Sequence, residues 1–135
     1  MRRLPLTSNC IDAENVAEEI EDLGRSELRT AQSLVEHTIE HLLKLEFSGL
    51  AEPADHWRDE VVEWRLRLDT TLTPGIAAKL DLPARHKAAL WLVRRLERDV
   101  SDLVGRLPAA CPHTLEHIVS RGEEEWFPPP RPRAA

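Results

Sequence analysis

Apolar side chains recur at steps of three and four residues along most of this chain, and that spacing restricts the chain to helices. A period near 3.6 residues places such positions on one face of an α-helix, whereas a strand needs a period of two. The clearest stripe comprises Ala31, Leu34, Val35, Thr38, Leu42 and Leu45. We therefore predict an all-α fold, an antiparallel helix bundle of about four helices followed by a proline-rich C-terminal tail.

Residues that favour helix ends predict the limits of the first helix. Asp12 can accept backbone N–H bonds at a helix start, so we expect the helix to begin there. Gly24 predicts a kink or a break, because glycine weakens a helix interior. Gly49 is a suitable residue for the helix end.

The later helices are predicted in the same way. A second helix starts at Pro53 and buries Trp57, Val61, Trp64, Leu68 and Leu72. Thr73 and Pro74 are an N-cap and a first helical residue, which predicts a short helix over residues 76–80. A long helix is expected over residues 84–107 and a last short one over residues 112–122.

The predicted organisation is a lead-in over residues 1–10, a helical bundle over residues 11–122 and an extended tail over residues 123–135. The tail is rich in proline and is therefore expected to be extended. We expect Trp126 and Phe127 to hold it, either on the chain's own body or on a neighbouring chain.

Charge and apolar runs exclude several classes of function. The formal charge is −6, from 18 basic and 24 acidic residues, which argues against a nucleic-acid partner. No apolar run approaches the roughly 20 residues that span a membrane, and no secretory signal is visible. Cys10 and Cys111 match no metal spacing and no disulfide framework. We expect a cytoplasmic protein.

The pentapeptide H-T-x-E-H occurs twice, at residues 37–41 and 113–117. In zinc proteases a similar pattern places two metal-binding histidines one helical turn apart. Those enzymes also need an α/β body and a third ligand, so we expect no metal and no cofactor here, with His41 partly buried and His37 solvated. No complete catalytic set is present, and we predict no catalytic residue.

Two surfaces are candidates for binding. The acidic run from Glu14 to Asp22, which includes Glu18 and Glu19, is either a solvated face or a surface for a basic partner. Trp91 lies off the apolar stripe of its helix. A tryptophan on a charged face often marks a contact. We expect Trp91 to meet the tail, another helix or a second subunit.

Several motifs carry a family resemblance. Residues 11–26, His41-Leu42-Leu43-Lys44, Trp57-Arg58 followed by Val61 and Arg65, Cys111-Pro112 and Phe127-Pro128 resemble motifs of a bacterial family known as domain of unknown function 29. The resemblance implies a helical fold and no established activity. It also implies that His41, Arg58 and Arg65 have a role. The simplest structural role is an ion pair between helices in which Arg58 or Arg65 meets Glu18 or Glu19.

These observations favour a non-catalytic interaction or accessory protein that forms a homo-oligomer, most simply a dimer. The candidate binding residues are Glu18, Glu19, His41, Arg58, Arg65 and Trp91. The alternative is a small-ligand-binding protein or an uncharacterised enzyme with a polar pocket around His41. Metal binding is the weakest alternative.

Overall fold

The computed structural model describes residues 5–96, 106–120 and 126–131, and no side chain of residues 5–15, 20 or 96. The helices in these stretches are α1 (Pro5–Phe47), α2 (Ala54–Thr71), α3 (Pro74–Ala78), α4 (Leu82–Leu96) and α5 (Leu115–Val119). None of the described stretches contains a strand. The prediction of an all-α fold is therefore confirmed.

Helix α1 differs from its prediction at its start but not at its end. It already includes residues before Asp12 and continues through Gly24, so the predicted start and the predicted break are both wrong. A cap residue permits a helix start without requiring one, and a single glycine costs only about 1 kcal/mol relative to alanine. The predicted end is confirmed, because Gly49 has a φ of 70° just after the helix.

Helix α2 begins where the sequence predicts, and α3 has the predicted N-cap and first residue but spans Pro74–Ala78 rather than residues 76–80. Pro53 is the N-cap of α2. The Thr73 hydroxyl accepts a hydrogen bond from the Ile76 N–H at 3.2 Å, and Pro74 follows as the first residue of α3. The side-chain cap and the fixed φ of proline together define this helix start.

The chain after α4 departs further from the prediction. Leu107 lies in a bend rather than in the long helix assigned to residues 84–107. Residues 97–105 and the predicted helix end at Gly122 lie outside the described residues. Helix α5 is shorter than predicted because it starts after Thr114, whose hydroxyl accepts from the His117 N–H.

The second half of α1 is the centre of the packing. It contacts α2 along one side and α4 along another, with smaller contacts to α3 and α5. Its fully buried residues include Ala31, Val35, Ile39, Leu42 and Leu43. Burial of each large aliphatic side chain contributes about 1.5–3 kcal/mol. No described helix is long and apolar enough to cross a membrane.

Candidate functional site

The α1–α2 interface contains a cluster of buried polar side chains. Glu40, His41 and Lys44 follow one another along α1, and their side chains are 3%, 7% and 7% exposed. Lys44 Nζ lies 3.8 Å from Glu40 Oε2, the i,i+4 geometry of a helical ion pair. Buried charges require such compensation, because burial of an isolated charge is costly.

Helix α2 closes this polar cluster from the opposite side. The Trp64 ring lies 4.6 Å from the His41 ring, and Lys44 Nζ lies 4.7 Å from the centre of the Trp57 ring. Glu60 contributes a carboxylate, with Oε2 at 3.3 Å from His41 Nε2. Its other oxygen lies 2.5 Å from Nε2 of His56, at the exposed edge of the cluster.

His41 is held in its neutral form. Burial, assisted by the charges of Lys44, His37 and His56, lowers the pKa of His41 to about 3. Neither ring nitrogen has a hydrogen-bond partner in the described part of the chain, and the Glu60 oxygen 3.3 Å from Nε2 is a close contact without hydrogen-bond geometry. His41 is more buried than the partly buried residue with one satisfied nitrogen that we expect, since it is only 6% exposed, whereas the His37 side chain is 42% exposed. Nowhere in the described residues do three or more histidine, cysteine, aspartate or glutamate side chains approach closely enough to hold a metal ion.

The second copy of the pentapeptide forms a different structure. His117 Nδ1 accepts from the Thr114 N–H at 3.4 Å, which completes a capping box at the start of α5. His113 is buried, and burial together with the charges of His117 and His86 lowers its pKa to about 4. The Sγ of Cys111 donates to the His113 carbonyl at 3.3 Å, while burial raises the pKa of this thiol.

Arg65 is buried and joins α2 to α5 and the tail. Its Nε donates to the Ile118 carbonyl at 3.0 Å, and its Nη2 donates to the carbonyls of His117 and Trp126 at 2.8 and 2.7 Å. The guanidinium also lies 4.8 Å from the centre of the Phe127 ring. The planar, many-donor guanidinium suits such a site better than an ammonium group would.

The tail continues along the body from this point. The Trp126 ring stacks on His117 at 4.2 Å, and Pro128 is buried. Further on, the Arg131 N–H donates to the Glu46 carbonyl at 2.7 Å and its Nε lies 2.6 Å from Glu46 Oε2. Trp126 and Phe127 therefore hold the tail on the chain's own body, one of the two arrangements expected.

The candidate binding residues do not converge on one place. Glu18 and Glu19 are exposed on α1, and Arg58 Nη1 bonds Asp55 at 3.0 Å. The arginines of α2 thus have other partners than Glu18 and Glu19, and the predicted pairing between helices is wrong.

Trp91 is 56% exposed, and Arg95 of the same helix lies 5.1 Å from its ring. In the described structure it is not covered by the tail or by another helix. The expectation of a contact with a second subunit stays a prediction.

Sequence reasoning did not identify Glu40 as part of a site. The i,i+4 spacing of Glu40 and Lys44 is a recognisable signal for a helical ion pair. Nothing in the spacing shows that this pair is buried, because burial depends on the tryptophans of α2.

At least two surface cavities in the described structure border α1. The larger, of about 510 Å³, lies between the end of α1, the start of α2 and the tail, and Arg58 lines it. The other, of about 430 Å³, lies between residues 21–28 of α1 and α3.

Comparisons with curated proteins and with solved structures found no match. A family model described as "Domain of unknown function DUF29" matches residues 7–126, which include the motif positions His41, Arg58 and Arg65. This match covers well over half of the 135 residues. The chain therefore belongs to the family described as domain of unknown function 29.

Proposed function

We propose that this protein is a non-catalytic, cytoplasmic interaction protein that associates with a second copy of itself. The observation that supports the proposal is the exposure of residues 16–27 of α1, here called the α1 arm. All of its described side chains are exposed, including the apolar Val16 at 52% and Leu23 at 63%. An apolar stripe left uncovered on a helix favours docking against another surface.

The charge of the α1 arm restricts the surface that it can meet. Its acidic residues are Glu18, Glu19, Glu21, Asp22 and Glu27, and its only basic residue is Arg25. Like charges facing each other across an interface are unfavourable. Pairing of one arm with another is therefore disfavoured, and a basic surface with an apolar centre fits the arm better.

Helix α4 carries a surface of that kind. Lys87, Trp91, Arg94 and Arg95 are exposed, and their spacing places them on one side of the helix. No acidic residue occurs between Leu82 and Leu96. We call this surface the α4 face. Its charge is opposite in sign to the net charge of the α1 arm, and a large exposed aromatic ring lies at its centre.

A dimer follows if the arm of each copy docks on the α4 face of the other. Both contacts are then equivalent under a two-fold axis, the commonest symmetry of soluble homo-oligomers. Arginine and tryptophan are also the residue types that contribute most often to interface affinity. The arrangement uses Glu18, Glu19 and Trp91, three of the six predicted binding residues.

Light scattering of the full chain over a range of concentrations and salt tests the proposal. We expect a monomer–dimer equilibrium that weakens as salt screens the charges. Leu23→Gln and Trp91→Gln should each weaken dimerisation by roughly tenfold, since each removes an apolar contact worth about 1.5 kcal/mol. Leu66→Gln is the matched control, because Leu66 is an apolar side chain of α2 that is 67% exposed and belongs to neither surface.

Exchanging one charge of the α1 arm with one of the α4 face tests whether these two surfaces contact each other. Glu19→Arg and Arg94→Glu should each weaken the dimer, and their combination should restore part of the affinity. A chain that is monomeric at every concentration would refute the proposal. If Leu66→Gln weakened dimerisation as much as Leu23→Gln, the proposal would also be contradicted, because the loss of affinity would then not depend on the α1 arm.

A further inference from the structure

The larger cavity combines an apolar wall with two cationic groups, and we propose that it binds a small amphiphilic carboxylate. It lies on the opposite end of α1 from the arm, where the helix ends at Phe47 and the chain turns at Gly49 towards α2. Its volume of about 510 Å³ is within the usual range of about 300–1,000 Å³ for small-molecule sites.

The wall of the cavity is apolar and firmly placed. Leu45 and Ala54 line it and are only 5% and 9% exposed, and both belong to a core cluster with Trp57. Leu50 borders the same cavity and is an exposed apolar side chain, at 41% exposure. An apolar ligand would bury Leu50 and gain the contacts that the loop now lacks.

Among the described residues, the charged groups that line the cavity are both arginines. Arg58 is provided by α2 and Arg131 by the tail. Their carboxylate partners, Asp55 and Glu46, do not line the cavity, so the side that faces it is positive. An anionic head group is therefore favoured over a neutral or a cationic one.

Both arginines have further N–H donors with which they could bind a ligand. A guanidinium has five N–H donors. Arg58 gives one nitrogen to Asp55, a carboxylate 94% exposed to water, and Arg131 gives Nε to Glu46. Arginine forms paired, charge-assisted hydrogen bonds with a carboxylate through its remaining nitrogens. The head group would lie at the arginines and the apolar part against Leu45, Leu50 and Ala54.

The ligand would also strengthen the attachment of the tail. Pro130 and Arg131 line the cavity as part of the tail, whereas the other described lining residues belong to residues 45–58. A molecule that contacts both sides links them and stabilises the docked tail by mass action.

Isothermal titration calorimetry of the full chain with octanoate tests the proposal. Octanol, which lacks the carboxylate, and acetate, which lacks the apolar chain, test the contribution of each half of the ligand. We expect octanoate to bind and to bind at least tenfold more tightly than octanol or acetate. Arg58→Gln and Arg131→Gln should each weaken octanoate binding by roughly tenfold, the effect of a lost charge-assisted hydrogen bond. Arg67→Gln is the matched control, since Arg67 is an exposed arginine of α2 that pairs with Glu63.

Each outcome decides the question once circular dichroism shows that the variants are folded. Weaker binding to the Arg58 and Arg131 variants, with unchanged binding to the Arg67 variant, supports the site. No measurable octanoate binding, equal binding of octanol, or equal effects of all three substitutions would overturn it. The dimer proposal is unaffected by these results, because no residue of the α1 arm or the α4 face lines this cavity.

Discussion

Substitution of Arg65 should show how strongly the tail depends on one buried side chain. Arg65 is 5% exposed and donates to three backbone carbonyls, on Ile118, His117 and Trp126. Methionine has nearly the same length and can fill the same space, but it has no donor. Arg65→Met therefore isolates the hydrogen bonds from the packing of the aliphatic stem.

The size of the loss in the free energy of unfolding depends on how buried each of the three acceptor carbonyls is. The bond to the Ile118 carbonyl is buried, so its loss leaves an unsatisfied acceptor at a cost of about 1–3 kcal/mol. The bonds to His117 and Trp126 are only partly buried, and water can replace the donor there at about 0.5–1 kcal/mol each. We expect the free energy of unfolding to fall by about 3 kcal/mol, a large part of a typical total of about 5–15 kcal/mol.

Urea denaturation followed by circular dichroism measures this loss, and Arg67→Met is the control on the same helix. Arg67 is 62% exposed and pairs with Glu63, so its substitution should cost no more than about 0.5 kcal/mol. Arg65→Lys should recover less than half of the loss, because an ammonium group cannot reproduce the fork of donors. A difference below about 1 kcal/mol between Arg65→Met and Arg67→Met would refute the reasoning.

Three further predictions concern stability and are measured by the same denaturation. The pKa of His41 is about 3 in the folded protein against about 6.5 in the unfolded chain. The free energy of unfolding should therefore be unaffected by His41 above about pH 6.5, and should fall by up to about 1.4 kcal/mol per pH unit as the pH drops from about 6.5 towards about 3. His41→Gln should flatten this decline, and a stability curve parallel to that of the unsubstituted protein would contradict the assignment. Gly49→Ala should cost about 1 kcal/mol because φ is 70° there, and an unchanged unfolding midpoint would contradict it. Thr73→Ala should cost about 1 kcal/mol through loss of the cap on Ile76, and a smaller loss than that of the exposed Thr70→Ala would contradict it.

Much of the fold could be predicted from the sequence because local signals determine it. The stripe through Trp57, Val61 and Leu68 is buried as its period predicts, and the proline after Thr73 starts a helix as its fixed φ predicts. The errors occurred where a local signal is permissive. Asp12 can cap a helix but can equally lie inside one, so the residues before it were wrongly left out of α1.

The candidate site was less predictable, because its properties arise from contacts between helices. The sequence predicts that His41 is partly buried, and in the structure it is almost fully buried at 6% exposure. It cannot show that Glu40 and Lys44 are enclosed, since the covering rings of Trp57 and Trp64 belong to another helix. The exposure of Leu23 is a similar case. A stripe in the sequence indicates which side of a helix is apolar, but not whether the rest of the chain covers it.

The two H-T-x-E-H copies show why a short motif does not determine a site. In the first copy all five residues lie within α1, so His37 and His41 are one helical turn apart and both approach Glu40. In the second copy the threonine is the N-cap of α5, so the helix begins inside the motif and His113 lies before it. A metal site built on i,i+4 histidines needs both of them on one helical face. The copy at residues 113–117 therefore lacks the geometry on which the resemblance to zinc proteases rests.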